Sequence, residues 1–432
     1  MAKLSIFQIA ILITFGALGV VGILIFAFAN TSSSTTNIGP VTIWGDINSQ
    51  AMNSVLKNIS DANPDFDQVK YAEKDPVTYQ SDLVNALASG TGPDLFILRQ
   101  NQLIQNAERV IPIPSSSLPL ERFNTLFIDA SSVFYDQRGV LGIPIVADPL
   151  VLYWNKDMLN ADGYAKPPGT WTEVQEMGVK MQRRNDAGGI VKSAIALGEY
   201  ANVTNAKEIL SVLIFQLGGQ IVSRDGSGNL VAGLLSGGTG SSQTAENALR
   251  FYTEFANPSK SYYSWNRALP ASLNAFAAGD LALYIGFASE GQLIARMNPN
   301  LSFDVASLPQ IKTGTLAVNT ARVYGISISR TTKNQTGAFA VASQFASPTS
   351  GMGQQLATAL GIPSALRDVL ALPAKGAGEL YRREALISRS WIDPNPAKTS
   401  SAFRAMIENV TSGALSLSEA VSRANQEIDA GI

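Results

Sequence analysis

The chain contains neither histidine nor cysteine. Their absence removes Ser-His-Asp triads, histidine-bearing zinc sites, thiolate nucleophiles, disulfides and lipid attachment through an N-terminal cysteine. Carboxylate, lysine and tyrosine chemistry remains. The residues able to bind or transform a polar molecule occur mostly as aromatics close to charged groups. Trp44 offers an apolar face, and Asp46 beside it accepts hydrogen bonds. Arg99 and Gln100 suit a polar or anionic group, and Asp148 suits sugar hydroxyls or a cation. Tyr262, Tyr263 and Trp265 form an aromatic cluster, Phe287 precedes Glu290, and Arg322 stands close to Tyr324. Tyr200 is included on position alone, and Trp391 near Asp393-Pro394 is a weaker candidate. Each has a plain structural alternative: Trp44 packs, Asp46 caps the next helix, Arg99-Gln100 is a surface pair, Asp148 ties a loop, and the aromatics fill a core.

The elements that position these residues follow from hydropathy and breakers. Val41–Trp44 reads as a short strand ending at Gly45-Asp46, and Met52, Val55, Leu56 and Ile59 follow at helical spacing. Val69–Tyr71 is a second strand. Tyr79, Leu83 and Leu87 mark a helix ended by Gly90, and Pro93-Asp94 opens a third strand over Leu95–Leu98. This alternation predicts an open, mostly parallel α/β sheet, in which ligands bind beyond the carboxyl ends of the strands. Leu141–Val146 and Val151–Asn155 read as two further strands. Thr172 is placed as the cap of the helix after Trp171, and Ala206–Leu217 as a helix. Ser223–Gly240 reads as a Gly/Ser-rich loop, and Gly237–Gly240 lacks the lysine of a phosphate loop. Ala271–Ala278 is helical before Gly279-Asp280. Strands follow at Leu281–Ile285 and Val323–Ser329, and a helix at Gln335–Phe345. Phe403, Met406, Ile407 and Val410 share a helical face, and Ser416 and Glu419 form a capping box for a last helix.

With 432 residues, 46% of them hydrophobic, the chain can bury a large core, and a net charge of −2 provides no basic face for nucleic acid. Ile6–Ala29 is an apolar run, and no charged residue occurs between Lys3 and Asp46. A helix of about 20 residues crosses a bilayer. Residues 1–29 are therefore expected to form a transmembrane anchor with its N-terminus inside. The rival reading is a cleaved signal peptide, for which Ala27-Phe28-Ala29 is a fitting site. Residues 30–40, uncharged and rich in Ser and Thr, read as a flexible linker.

An ordered set of segments resembles the extracellular solute-binding proteins of family 1, the ABC-transporter group that includes maltose-binding protein. The segments are Val41–Phe66; Ala88-Ser89-Gly90 with Pro93-Asp94; Gly142-Ile143-Pro144 through Tyr153, Asn155-Lys156-Asp157 and Trp171-Thr172-Glu173; Ala275–Leu283; and Gly325–Ile328 through Gly361-Ile362-Pro363-Ser364. The likeness covers nearly all of the chain from Val41 onward. It departs from many relatives in having no lipidated cysteine, which the N-terminal anchor would replace.

The resemblance implies two α/β lobes joined by a hinge, with a solute held in the cleft between them. It allots residues 41–147 and 279–322 to lobe one, and 148–278 and 323–432 to lobe two. It places crossings near Asp148 and near Tyr324. The implied function is capture of a small solute, a saccharide or related polyol, outside the cytoplasm, and its delivery to an ABC permease whose ATPase is a separate chain. No cofactor or metal is implied. The expected ligand-binding residues are Trp44, Asp46, Arg99, Gln100, Asp148, Tyr200, Trp265, Phe287, Glu290 and Tyr324. The acids among them also suit a polyamine or amino-sugar. A carboxylate-pair glycoside hydrolase and a sensor-type binding protein for a membrane receptor are the alternatives.

Overall fold

A computed structural model describes residues 38–236, 243–311 and 316–432. The expected anchor, most of the linker and the segment Gly237–Gly240 lie outside the described residues. Among the described residues, no helix is long and apolar enough to cross a membrane.

The chain begins with β1 (Val41–Gly45), α1 (Ser49–Ala62), β2 (Val69–Glu73), α2 (Tyr79–Ala88) and β3 (Leu95–Arg99). Local chemistry explains the boundaries. Asn48 caps α1 by accepting from the Ala51 amide at 3.1 Å, and Met52, Val55 and Leu56 form its buried face. Gly90, at φ +73°, turns the chain after α2. After several short helices and a small hairpin comes β4 (Ile143–Asn155), a single strand of 13 residues. The two strands expected over 141–146 and 151–155 are one element. Pro149 does not break it, because the hydrogen-bonding partner changes at this point: Ile143–Pro149 pairs with one strand and Leu150–Trp154 with another. The helix after the Pro167-Pro168 loop is capped by Thr170, not Thr172, with Glu173 reaching back to the Thr170 amide.

Further along are β5 (Ile190–Ile195), α3 (Ala206–Gln216), β6 (Leu281–Phe287), α4 (Glu290–Met297), β7 (Phe303–Ala306) and β8 (Asn319–Ile328). Part of the expected Ser223–Gly240 loop is instead a hairpin, Val222–Arg224 against Leu230–Ala232. The chain ends with α5 (Ala377–Leu386), α6 (Pro396–Thr411) and α7 (Leu417–Asp429). The Ser416–Glu419 capping box is present at the start of α7.

The main sheet runs β2-β1-β3-β8-β4-β6-β5. Its β1–β2, β1–β3 and β5–β6 pairs are parallel, as expected, but β8 is antiparallel to both β3 and β4, and β4 to β6. The centre of the sheet is antiparallel because β4 and β8 run in opposite directions between two separate cores.

One core collects buried residues from Ile38 to Ala147 and from Ala321 to Ala385. The other collects Leu150–Ile285 and Phe287–Val318, with Ala402–Ile428 from α6 and α7. The fold is thus two-lobed, and the chain passes between the lobes in β4, in β8 and in the segment between α5 and α6. The allotment expected for the later stretches is reversed: buried residues over 281–318, Ala288 excepted, pack with the second core and those over 323–370 with the first. The reason is β8, which leads out of lobe two and back into lobe one.

Side chains lace the crossings together. The Asn319 amide donates to the Leu150 carbonyl at 2.8 Å and to buried Glu384 Oε2 at 2.7 Å. Thr320 Oγ1 donates to the Arg389 carbonyl at 2.9 Å, and Ser390 Oγ to the Ala321 carbonyl at 2.7 Å. Burial pushes the Glu384 carboxyl above its ordinary pKa.

Candidate functional site

A cavity of about 100 Å³ lies where both lobes meet the crossing strands. Lobe one contributes Arg99, Gln100 and Asn101 from the end of β3. Strand β8 contributes Thr320, Ala321 and Arg322. Lobe two contributes Lys207, Glu208 and Ser211 from α3 and Phe287 from the end of β6, while Trp391 and Asp393 come from the third crossing. This position, beyond the carboxyl ends of β3 and β6, is where an open α/β sheet offers a ligand site.

Helix α3 is buried along most of its length, from Ile209 to Phe215, so Lys207 and Glu208 in its first turn are its polar end. Asn205 precedes it in the left-handed conformation, φ 62°, which asparagine tolerates. Its amide nitrogen donates to Glu290 Oε1 at 2.9 Å, and its carbonyl oxygen accepts from Arg322 Nη2 at 3.3 Å. The Lys207 ammonium donates to Asp393 Oδ2 at 2.7 Å and to Thr399 Oγ1 at 2.6 Å, and lies 5.1 Å from the centre of the Trp391 ring. Trp391 in turn stacks on Phe403 with centroids 6.3 Å apart. The Arg322 guanidinium lies over the Phe287 ring at 3.6 Å.

Of the expected site residues, Arg99, Gln100 and Phe287 line the cavity. Arg99 Nη2 donates to Asp46 Oδ2 at 2.5 Å, and its guanidinium stands 5.6 Å from the Tyr324 ring. Asp46 and Tyr324 therefore flank the cavity through Arg99. Gln100 Oε1 accepts from the Val323 amide at 2.9 Å, tying lobe one to the crossing strand. Asp148 is 1% exposed and accepts from the Ser289 amide at 2.9 Å and Ser289 Oγ at 2.6 Å. Burial pushes its carboxyl up to about 6, against the Ser289 hydrogen bonds and the Arg322 charge. It lies in the crossing strand β4 and does not line the cavity. Glu290 accepts from Asn205 and from the Tyr284 hydroxyl and acts on the cavity only through Asn205.

Three expected residues lie elsewhere. Trp44 carries the Lys74 ammonium 3.6 Å above its ring and packs against a small cluster under α2. Trp265 is buried in the lobe-two core, and Tyr200 sits beneath Arg404 of α6. An aromatic near a strand end is visible in sequence, but the direction of its side chain is not.

Lys207, Glu208, Ser211, Thr320 and Asn101 were not singled out by sequence. The available signal was a charged pair, Lys207-Glu208, opening an otherwise apolar helix. Trp391, noted as a weaker candidate, and Arg322, noted beside Tyr324, do line the cavity. Among the described residues, no cluster of three or more acidic, histidine or cysteine side chains is placed to hold a metal ion.

Residues 47–352 match the bacterial extracellular solute-binding proteins. The chain belongs to this family. As a member of an extracellular family, it has its folded part outside the cytoplasm. Curated relatives from Brucella abortus (strain 2308) and Brucella suis biovar 1 (strain 1330) are 24% identical over 244 residues, covering 54% of this chain. The match spans about half the length of these relatives, 53%. Solved structures of the same fold include a cyclo/maltodextrin-binding protein complexed with maltotetraose, with a TM-score of 0.72 at 15% identity, covering 92% of this chain and 98% of that one. The cyclic alpha-maltosyl-1,6-maltose binding protein of Arthrobacter globiformis has a TM-score of 0.74 at 18% identity, covering 91% and 99%. The sugar-binding protein of Xanthomonas citri has a TM-score of 0.72 at 17% identity, covering 91% and 97%. The two-lobed architecture of this family member is the one these structures share.

Proposed function

We propose that this solute-binding protein captures a saccharide in the cavity between its lobes and hands it, unchanged, to the membrane subunits of an ABC importer. The observation that carries the reading is the composition of that cavity. Trp391 supplies aromatic surface, with Phe287 buried beneath Arg322 at the cavity wall, while Arg99, Asn101, Lys207, Glu208 and Thr320 supply hydrogen-bonding groups from both lobes. Saccharides present apolar C–H faces and hydroxyl edges together, and buried hydroxyls need partners. The structural relatives described above as complexed with or binding maltodextrin-type sugars support the same class. Lobes that move about the β4 and β8 crossings would close on the solute.

Isothermal titration with a panel of mono- and oligosaccharides, amino acids and polyamines tests the reading. Saturable binding of a saccharide, recovered chemically intact, is expected. Selective binding of a polyamine, or hydrolysis of the bound sugar, would overturn it. Anchoring at the outer face of the membrane through residues 6–29 belongs to the same proposal. The full-length chain should stay in the membrane pellet after an alkaline wash, and a soluble form beginning near Asn30 would replace the anchor with a cleaved signal. Loss of solute uptake on deleting the gene supports delivery to an importer, whereas unchanged uptake favours a sensor.

A further inference from the structure

The acids that suggested a cationic solute are already engaged. Asp46 is held by Arg99 at 2.5 Å, Asp148 by Ser289, and Glu290 by Asn205 and Tyr284. Inside the cavity, Asp393 is neutralised by Lys207 at 2.7 Å. Glu208 stands in the first turn of α3, where the positive end of the helix compensates a carboxylate. Arg322 is different. It lines the cavity, yet forms no ion pair with a carboxylate among the described residues. Its one hydrogen bond to a side chain runs from Nη2 to Asn205 Oδ1 at 3.3 Å, so most of its five N–H donors are unused by side-chain partners. The Phe287 ring beneath it at 3.6 Å and Asn205 beside it hold the guanidinium in place. A planar fork held in this way matches a carboxylate in bidentate fashion, and little side-chain freedom is lost when the carboxylate arrives.

We propose that the solute is an acidic saccharide, a uronic acid or an oligosaccharide carrying one, whose carboxylate is bound by the Arg322 guanidinium. The proposal rests on the saccharide reading above and specifies its substrate class. Phe287 then serves as the seat of the arginine and not as a sugar platform, which leaves the half-buried Trp391 as the aromatic wall of the cavity. Glu208, Asn101 and Thr320 remain for the ring hydroxyls.

The test is titration calorimetry of the wild type and of Arg322→Gln with D-glucuronate, D-galacturonate and digalacturonate, against D-glucose, D-galactose and D-glucosamine, at one ionic strength. A charged hydrogen-bonded pair should favour at least one uronate over its neutral parent by about tenfold or more. The preference should vanish in Arg322→Gln and partly survive in Arg322→Lys, with unfolding temperatures confirming that both variants fold. Neutral sugars or glucosamine binding as well as or better than the uronates would overturn the acidic assignment and leave the saccharide reading standing. Binding of none of these sugars would overturn the acidic assignment, and the wider panel above would then decide the saccharide reading. An undiminished uronate preference in Arg322→Gln would remove Arg322 from the role.

Discussion

Asp148 and Arg322 face each other across the pairing of β4 with β8, at the point where both strands pass from one lobe to the other. The carboxylate turns to Ser289 and the guanidinium to Phe287. A buried acid and a cavity-lining cation thus share one step of the ladder about which the lobes would move.

The raised Asp148 pKa predicts a pH dependence of stability. Its carboxyl moves from the ordinary 3.8 to about 6, so the folded state holds the proton more tightly than the unfolded chain. Folding stability should therefore fall as pH rises from about 4 to about 6, by up to about 3 kcal/mol. Asp148→Asn should flatten that slope. Urea unfolding at a series of pH values reads the difference, and an unchanged slope in the variant would assign the dependence to other groups.

Trp391 is the only tryptophan among the cavity-lining residues. Saturation with solute should change its emission, and Trp391→Phe should remove most of that change. Trp44→Phe and Trp265→Phe should leave it, because one ring lies under Lys74 and the other is buried in lobe two. A signal that disappears with Trp44 would relocate the site to the end of β1.

The Lys207–Asp393 pair is nearly buried, with side chains 11% and 2% exposed. Lys207→Met strands a buried carboxylate and should cost about 3 kcal/mol or more. Lys207→Met combined with Asp393→Leu should recover much of that loss. The double-mutant cycle, followed by denaturant unfolding, should show clear non-additivity. Additive losses would mean that the two charges do not depend on each other.

Gly325 sits at the bulge where β8 shifts register against β4. A methyl group at this position would come within 2.3 Å of the Phe134 ring. Gly325→Ala should destabilise lobe one by about 1–3 kcal/mol. Thermal unfolding checks the cost, and a neutral outcome would show that Phe134 rotates away freely.

The sequence by itself determined the local elements, because their signals are carried by neighbouring residues. The apolar spacing of Met52, Val55 and Leu56 made a helix, Gly90 and Gly279 stopped two others, and Ser416 with Glu419 capped the last. Absent histidine and cysteine narrowed the chemistry before any folding. Tertiary structure decided the rest. Two apparent strands around Pro149 became one because the hydrogen-bond partner changes there, a fact that belongs to the sheet and not to the segment. Trp44, Trp265 and Tyr200 had the right chemistry and point elsewhere. Lys207 from α3, Arg322 from β8 and Trp391 from the last crossing meet in one cavity although no local pattern links them. Periodicity encodes which face of an element is buried, whereas convergence depends on how three crossings bring distant parts of the chain to the same place.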